Sequence, residues 1–335
     1  MKTLSRRLGA GLIGLLVAGA AIWGGLALWF TLPVADGIRV TLALGFVVLG
    51  AGGLLTALLR RRLIVPLLPF AGAFVALLGW WSTLGASNDR VWQPDVAMLP
   101  SAEIEGEIVT LRNIRSFSYR SETDYTPRWY DKSFDLRQLD TLDLIAVYWM
   151  GDAIAHTILS FGFAGEQIAI SIEARKEQDE AYSAFAGFFR RYELYYVVAD
   201  ESDLIGLRAS YRDPPEDVYL YRTNAPPERL RHLFLEYVTK IDELNDRPEF
   251  YNTATTNCTT NIVMHIQAIG PQVPLSWKML ASGYFPELAY ERGSLDQSLP
   301  FDALRQQSHI NERARAADGA DDFSRRIRDN LPGVP

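Results

Sequence analysis

The chain has 335 residues, of which 48% are hydrophobic and 22% are charged, and its formal net charge is −7 at pH 7. This acidic balance, with no Lys/Arg-rich stripe beyond residue 86, argues against nucleic acid as a partner. Four histidines and one cysteine are present, without paired spacing. We therefore expect neither a zinc site nor any other metal or cofactor.

Three apolar segments occupy the first quarter of the chain, at residues 8–30, 40–59 and 63–81. Each has close to the roughly 20 residues needed to cross a bilayer. The first could be a signal peptide, but it is longer than a usual signal-peptide core and two further segments follow it. The pattern predicts a membrane anchor of three transmembrane helices in residues 1–86.

Basic clusters flank these segments. Lys2, Arg6 and Arg7 precede the first, and residues 60–62, all arginine, separate the second from the third. Because basic loops stay in the cytoplasm, both clusters are predicted to be cytoplasmic. The long remainder of the chain is then outside.

Beyond residue 86 the sequence has the mixed charge and alternating patterns of a folded α+β domain, predicted over 87–300. Strands are predicted at 142–149, 154–163, 167–174, 194–198, 204–211 and 218–221, and helices after Ala181, Pro227 and Cys258. Consecutive strands beside a helix that carries a thiol are typical of a papain-like (NlpC-type) core. The candidate histidine precedes the cysteine, which is the reverse of the order in papain, so the domain is predicted to be a circularly permuted version. The polar tail, 301–335, is expected to be peripheral or partly mobile.

Cys258 is the only cysteine and lies in the polar run 255–261. Apolar residues at 262, 263, 266 and 269 follow at helical spacing, and Thr256 or Asn257 can cap that helix. Cys258 then falls in the first turn, where the helix dipole favours a thiolate. It is predicted to be a nucleophile, and the alternative is an inert thiol near a helix start.

A thiol nucleophile needs a base, and the sequence offers four histidines. His265 is seven residues beyond Cys258, about 10 Å along the helix axis, which is too far for contact. His232 lies in a charged helix pattern and His309 in the polar tail. His156 remains the candidate, with a buried structural histidine as the alternative.

The strand that carries His156 and the next strand form a predicted β-hairpin. A connecting loop with an even number of residues places Ser171, Glu173 and Arg175 on the face of His156, with Glu173 diagonal to it. Glu173, and more weakly Ser171, could then orient the imidazole. A loop with an odd number of residues would remove these side chains from the face of His156. The alternative for Glu173 is a surface charge on the sheet, paired with Arg175 or Lys176.

Longer stretches carry a resemblance to a known family. They are TDYTPRWYDKSFDL from Thr123, AHTILSFGF from Ala155, ISIEARKE from Ile170, GFFRRYELYYVVADESDLIGLR from Gly187 and EFYNTATTNCTTNI from Glu249. The chain resembles the Lnb lipoprotein acyltransferases and their periplasmic domain. The resemblance implies a cysteine and a histidine, matched here by Cys258 and His156. Those enzymes move an acyl chain from the glyceryl ester of a lipoprotein to the α-amino group of its N-terminal cysteine.

Together, the residues and the resemblance predict a thiol acyltransferase that acts through a thioester on a membrane lipid or lipoprotein. Asn257, Thr259, Ser171 and Arg175 are candidates to position substrate or the oxyanion. The expected location is the inner (cytoplasmic) membrane, with the catalytic domain on the periplasmic side. A cysteine amidase or peptidase of the cell envelope and a non-catalytic lipid-binding protein are the alternatives, and the oligomeric state stays open.

Aromatic residues are further candidates for the lining of an acyl groove. The candidates are Trp129, Tyr130, Trp149 and Tyr251. The alternative is the core, where aromatic residues of strand-rich domains are commonly buried.

Overall fold

The computed structural model describes residues 2–60, 62, 64–270 and 273–334; Arg61, in the second basic cluster, lies outside them. The chain divides into two compact units. One unit comprises Met1–Ala86 and the short segment Ser183–Arg191, and the other comprises Ser87–Tyr182 and Tyr192–Pro335.

The first unit contains three apolar helices, α1 (Lys2–Thr31), α2 (Asp36–Arg60) and α3 (Ile64–Ser82). All three are long and apolar enough to cross a membrane, which confirms the three predicted spans. A small aromatic core holds them together, in which the rings of Phe46 and Phe70 are 5.3 Å apart.

The second unit is an α+β domain, as predicted. Its strands are β1 (Ser101–Glu105), β2 (Ile108–Arg115), β3 (Ser118–Tyr119), β4 (Tyr125–Thr126), β5 (Trp129–Asp135), β6 (Leu139–Tyr148), β7 (Ala155–Phe163), β8 (Glu166–Arg175), β9 (Glu193–Ala199) and β10 (Asp217–Arg222). Its helices are α4 (Glu201–Gly206), α5 (Pro227–Asp246), α6 (Cys258–Ala268), α7 (Trp277–Leu280), α8 (Phe285–Glu291), α9 (Phe301–Ser308), α10 (Asn311–Ala316) and α11 (Phe323–Arg326).

Eight of these strands form one sheet with the order β1-β2-β9-β8-β7-β6-β10, and β5 pairs with β2. Neighbours are antiparallel except β2 and β9, which meet in parallel at Arg115 and Ala199. Thr157 and Leu159 of β7 face the same side of the sheet, since successive strand residues alternate. Thr157 contacts Thr259 of α6 on that side.

Two local predictions were wrong. Residues 204–211, predicted as a strand, are helical: α4 runs directly into a π-helical turn, Leu207–Tyr211. Leu204, Ile205 and Ala209 are all buried, so the segment lacks the polar face that distinguishes a helix from a strand in sequence. The helix predicted after Ala181 is a single 3₁₀ turn at Ala186–Phe188.

The prediction of a peripheral tail was also wrong, because residues beyond 300 complete the core of the domain. Ile310 and Ile327 are fully buried there. Arg328 lies 2.8 Å from Asp143 of β6 and donates to both carboxylate oxygens of Glu201, at 2.7 and 2.6 Å. A tail that neutralises two buried carboxylates is an integral part of the domain.

Candidate active site

Cys258 is the first residue of α6, as the sequence predicts. Asn257 is the N-cap, and a capping box joins it to Thr260: the Asn257 side chain accepts from the Thr260 N–H, and the Thr260 hydroxyl accepts from the Asn257 N–H. The thiol is buried, with 8% of the residue exposed. The reciprocal cap therefore fixes the helix start, and with it the position of the thiol at the positive end of the helix dipole.

His156 lies near the start of β7, on the strand beside Ser171 and Glu173 of β8. A two-residue turn, Ala164 and Gly165, connects these strands, and both residues have positive φ (50° and 92°). The loop is therefore even, and Ile158 pairs with Ser171. The same register carried two residues further sets Glu173 directly opposite His156, rather than diagonal to it.

A chain of short hydrogen bonds leads away from the imidazole. His156 Nε2 lies 2.6 Å from Ser171 Oγ, and Ser171 Oγ donates to Glu173 Oε1 at 2.7 Å. Because the serine has a single hydroxyl proton, it accepts from Nε2–H. Nδ1 is then the ring nitrogen left to exchange a proton with Cys258. Arg208 Nη2 completes the chain by donating to Glu173 Oε1 at 2.7 Å.

Cys258 and His156 shift each other's protonation. Burial opposes the charged thiolate, but the imidazole and hydrogen bonds from His156, Thr157 and Thr259 lower the pKa of Cys258 below its ordinary value. Burial likewise opposes the imidazolium, yet the Cys258 thiolate and hydrogen bonds with Cys258 and Glu173 raise the pKa of His156 to about 9. The pair is therefore disposed to exist as thiolate and imidazolium, the reactive form of a catalytic cysteine.

Glu173 stays ionised in this arrangement. Its burial favours the protonated acid, but Arg208 and then His156 hold the pKa of the carboxyl well below its usual range. A fixed negative charge behind the imidazole stabilises the imidazolium and holds the ring orientation.

A cleft of about 160 Å³ opens beside these groups. It is lined by His156 and Glu173, by the aromatic residues Trp149, Tyr182 and Tyr251, and by charged residues that include Lys176, Arg208 and Arg212. The lining is therefore mixed, with both aromatic and charged surface.

The turn at Ser282 and Gly283 binds the segment that leads into β7. Gly283 N–H donates to Ala153 O at 3.1 Å, and Ser282 Oγ accepts from the Ala155 N–H at 3.0 Å. A Cβ at Gly283 would lie 2.0 Å from the Asp152 carbonyl oxygen, so only glycine allows this approach.

Of the remaining predicted site residues, Thr259 lies beside the thiol and Arg175 does not. Thr259 Oγ1 is 3.8 Å from Cys258 Sγ. Arg175 points away: its guanidinium donates to Val96 O at 3.0 Å and stacks over Trp92 at 4.0 Å. The prediction of a substrate-positioning role for Arg175 is therefore corrected to a structural one.

Asn257 acts as a cap rather than as an oxyanion ligand. Its side-chain Nδ2 donates to Thr253 O at 2.7 Å and its Oδ1 accepts from Thr260, so both ends of the amide are engaged. Ser171, predicted for substrate or orientation, lies between the imidazole and the carboxylate.

The predicted aromatic groove residues separate into two groups. Trp149 and Tyr251 line the cleft, whereas Tyr130 donates to Asp200 at 2.5 Å and Trp129 packs edge-on against Phe117. Only the first two are placed to meet a substrate at the cleft.

Sequence reasoning missed Arg208. The residue was assigned to a strand, and its charge gave no indication of its partner, 35 positions away. Tyr182, which lines the cleft together with Tyr251, was missed as well.

The other three histidines either have different partners or are exposed. His265 is buried and lies 2.7 Å from the Tyr196 hydroxyl, and burial lowers its pKa to about 4. His232 is exposed on α5, and His309 lies 3.1 Å from Asp217. None of these contacts is with Cys258.

Three apolar helices long enough to span a membrane and an α+β domain, in which the buried Cys258 and the half-buried His156 share a site, define a membrane protein with a mixed α/β domain. The model of one family, the Lnb N-terminal periplasmic domain, matches residues 125–283, a range that contains both Cys258 and His156. The resemblance to the Lnb family is thereby confirmed. No curated protein and no solved structure matches the chain.

Proposed function

We propose that this protein is a membrane-anchored, cysteine-dependent acyltransferase, with its catalytic domain on the periplasmic side of the inner membrane. The observation that carries the proposal is the connected series Cys258, His156, Ser171 and Glu173. Nucleophile, base and orienting carboxylate are the three parts that covalent catalysis by a thiol needs.

In the first half-reaction, the Cys258 thiolate attacks the carbonyl carbon of a lipid ester. The carbon–oxygen bond of the ester breaks, a thioester forms on Sγ, and the leaving alkoxide takes the proton from His156 Nδ1. Ser171 and Glu173 hold the ring while it gains and loses that proton.

The oxyanion of each tetrahedral intermediate needs donors beside Sγ. The capping box uses the N–H groups of Asn257 and Thr260, and the Asn261 N–H donates to Asn257 O. In the described part of the site, this leaves the N–H groups of Cys258 and Thr259 at the start of α6. We assign the oxyanion to them.

In the second half-reaction, an amine attacks the thioester. His156 Nδ1 removes a proton from the attacking nitrogen, an amide forms, and the thiolate leaves Cys258. Water in place of the amine would yield a free fatty acid. Three membrane helices favour a lipid substrate, because a tether raises the effective concentration of molecules in the same bilayer.

A second candidate is a cysteine amidase or peptidase that acts on cell-envelope peptide. The charged part of the cleft lining, Lys176, Arg208 and Arg212, favours it, since a polar cleft suits a peptide better than an acyl chain. The thioester chemistry at Cys258 is common to both candidates, and the substrate separates them.

The decisive experiment is intact-protein mass spectrometry of the full chain in vesicles that contain a diacylated lipoprotein or a diacyl phospholipid. We expect an acyl adduct on Cys258 that hydroxylamine removes, as it removes thioesters. Cys258→Ala and His156→Ala should abolish the adduct, and His232→Ala, at an exposed histidine, should keep it.

Added amine should convert the adduct to an N-acyl product. An adduct that forms equally in His156→Ala would contradict the proposed base. Absence of any acyl adduct, together with cleavage of an envelope peptide, would favour the amidase.

A further inference from the structure

The segment Ser183–Arg191 between β8 and β9 belongs to the compact unit of the apolar helices, although both strands belong to the α+β domain. Its sequence, SAFAGFFRR, combines three phenylalanines with two arginines. The two ends of the segment lie close together, because the rings of the flanking residues Tyr182 and Tyr192 stack with their centroids 6.0 Å apart.

The two arginines bind the carboxyl-terminal ends of two membrane-length helices. Arg190 Nη1 donates to Trp81 O at 2.9 Å and to Leu84 O at 3.1 Å, and Arg191 Nη1 donates to Phe30 O at 3.0 Å. The last carbonyls of a helix lack partners within the helix and attract cations. The segment therefore caps α1 and α3 on the face of the membrane where both end.

Aromatic contacts strengthen this attachment. Phe189 stacks on Phe30 with ring centroids 5.4 Å apart, and the Arg190 guanidinium lies 5.2 Å from the centre of the Trp81 ring. Five contacts therefore join the segment to the ends of α1 and α3. Helix ends of this kind lie where the hydrocarbon core gives way to the headgroups.

Two phenylalanines of the segment remain exposed. Phe185 is 73% exposed and Phe188 is 43% exposed. Exposed aromatic side chains side by side with helix-capping arginines form the pattern of a membrane-surface anchor, in which apolar rings enter the acyl-chain boundary and cations stay among the headgroups.

We propose that Ser183–Arg191 is an interfacial membrane-binding segment, in which Phe185 and Phe188 insert into the acyl-chain boundary of the bilayer at the ends of α1 and α3. Its partner is the lipid surface itself. The inference stands on exposure and helix-end contacts and does not depend on the proposed acyl transfer.

Site-directed spin labelling of the full chain tests the proposal. Cys258 is the only cysteine, so Cys258→Ala provides a background in which one introduced thiol carries the label. Labels go at Phe185→Cys and separately at Phe188→Cys, in vesicles of phosphatidylethanolamine and phosphatidylglycerol. The matched control is Ile104→Cys, an exposed apolar residue on the edge strand β1.

We expect both segment labels to collide several-fold more with oxygen, relative to a water-soluble nickel chelate, than the label at 104. Oxygen-to-nickel collision ratios at 185 and 188 that equal the ratio at 104 would overturn the proposal. A low collision rate with both oxygen and the nickel chelate would also overturn the proposal, because it would mean that protein covers the two side chains. Spin–spin broadening that disappears on dilution with lipid would then identify a second copy of this chain as the covering protein. The readout needs no enzymatic activity, so its failure leaves the proposed function untouched.

Discussion

Ser171 separates His156 from Glu173: its hydroxyl lies 2.6 Å from the imidazole Nε2, while the nearest carboxylate oxygen is 3.6 Å from the same nitrogen. The orienting charge therefore acts mainly through a hydroxyl group.

The serine link leads to the first prediction. Ser171→Ala should slow acylation of Cys258 roughly 100-fold, because the ring loses the partner that fixes its tautomer while the thiol stays in place. Single-turnover mass spectrometry measures the rate. Ser133→Ala, which removes an exposed hydroxyl on β5, is the control and should react normally. A positioning role also requires a changed pH profile in the Ser171 variant, and an unchanged rate would contradict it.

The second prediction concerns pH. The pKa of Cys258 is lowered and that of His156 is raised to about 9, so the ion pair persists from the lowered thiol pKa up to about pH 9. Alkylation of Cys258 by iodoacetamide should therefore reach half its maximal rate below pH 9. Turnover should fall above about pH 9, where His156 loses the proton that the leaving group needs.

His156→Ala should shift the alkylation midpoint upward, since burial without the imidazolium disfavours the thiolate. His232→Ala should leave it unchanged. An identical midpoint in the wild type and the His156 variant would contradict the coupling.

The third prediction concerns Arg328. Arg328→Met should lower the free energy of unfolding by about 3–5 kcal/mol, because Glu201 would stay buried without its paired cation, whereas Asp143 would keep its pair with Arg222. Arg326→Met is the matched control: Arg326 pairs with Asp322 on the surface, and its loss should cost less than about 1 kcal/mol. Thermal unfolding of both variants measures the difference, and equal midpoints would show that the tail is not integral to the core.

The fourth prediction concerns Gly283. Gly283→Ala should destabilise the domain by about 1–3 kcal/mol and displace the entry to β7, because the new Cβ would meet the Asp152 carbonyl oxygen. Gly206→Ala, in α4 with nothing within 4 Å of its Cβ position, should be neutral or stabilising by up to about 1 kcal/mol. Thermal unfolding again reports on stability, and alkylation of Cys258 reports on the site. Equal effects of the two substitutions would argue against the close approach.

The fifth prediction concerns topology. A reporter fused after Pro335 should be extracytoplasmic, and one inserted at Arg61, in the basic cluster, should be cytoplasmic. Alkaline phosphatase and green fluorescent protein fusions distinguish the two sides. The reverse result would place Cys258 in a reducing compartment and remove the proposed periplasmic location.

Local signals in the sequence were enough to predict the helix that begins at Cys258 and the β-hairpin. The polar run before an apolar 3.6-residue period predicted the start of α6 at Cys258, and alternation predicted β7 and β8. Register was not predictable, since it depends on the two-residue turn at Ala164 and Gly165. Once that turn is known, the position of Glu173 follows.

Contacts between distant parts of the chain were beyond the sequence pattern. Arg175 has the strand position expected of a site residue, on the same face as His156. Its guanidinium nevertheless donates to backbone carbonyls of a segment almost 80 positions earlier. Arg208 and Arg328 look like ordinary surface cations in sequence. Their roles depend on which carboxylates the fold buries, and no local pattern encodes that.

The position of Arg328 also orders events during synthesis. Asp143 and Glu201 are made long before the cation that they share, so this buried charge cluster stays incomplete until the ribosome has passed residue 328. Cys258 is also translated before Arg328. Under the proposed topology, Cys258 therefore crosses the membrane ahead of the segment that completes its domain.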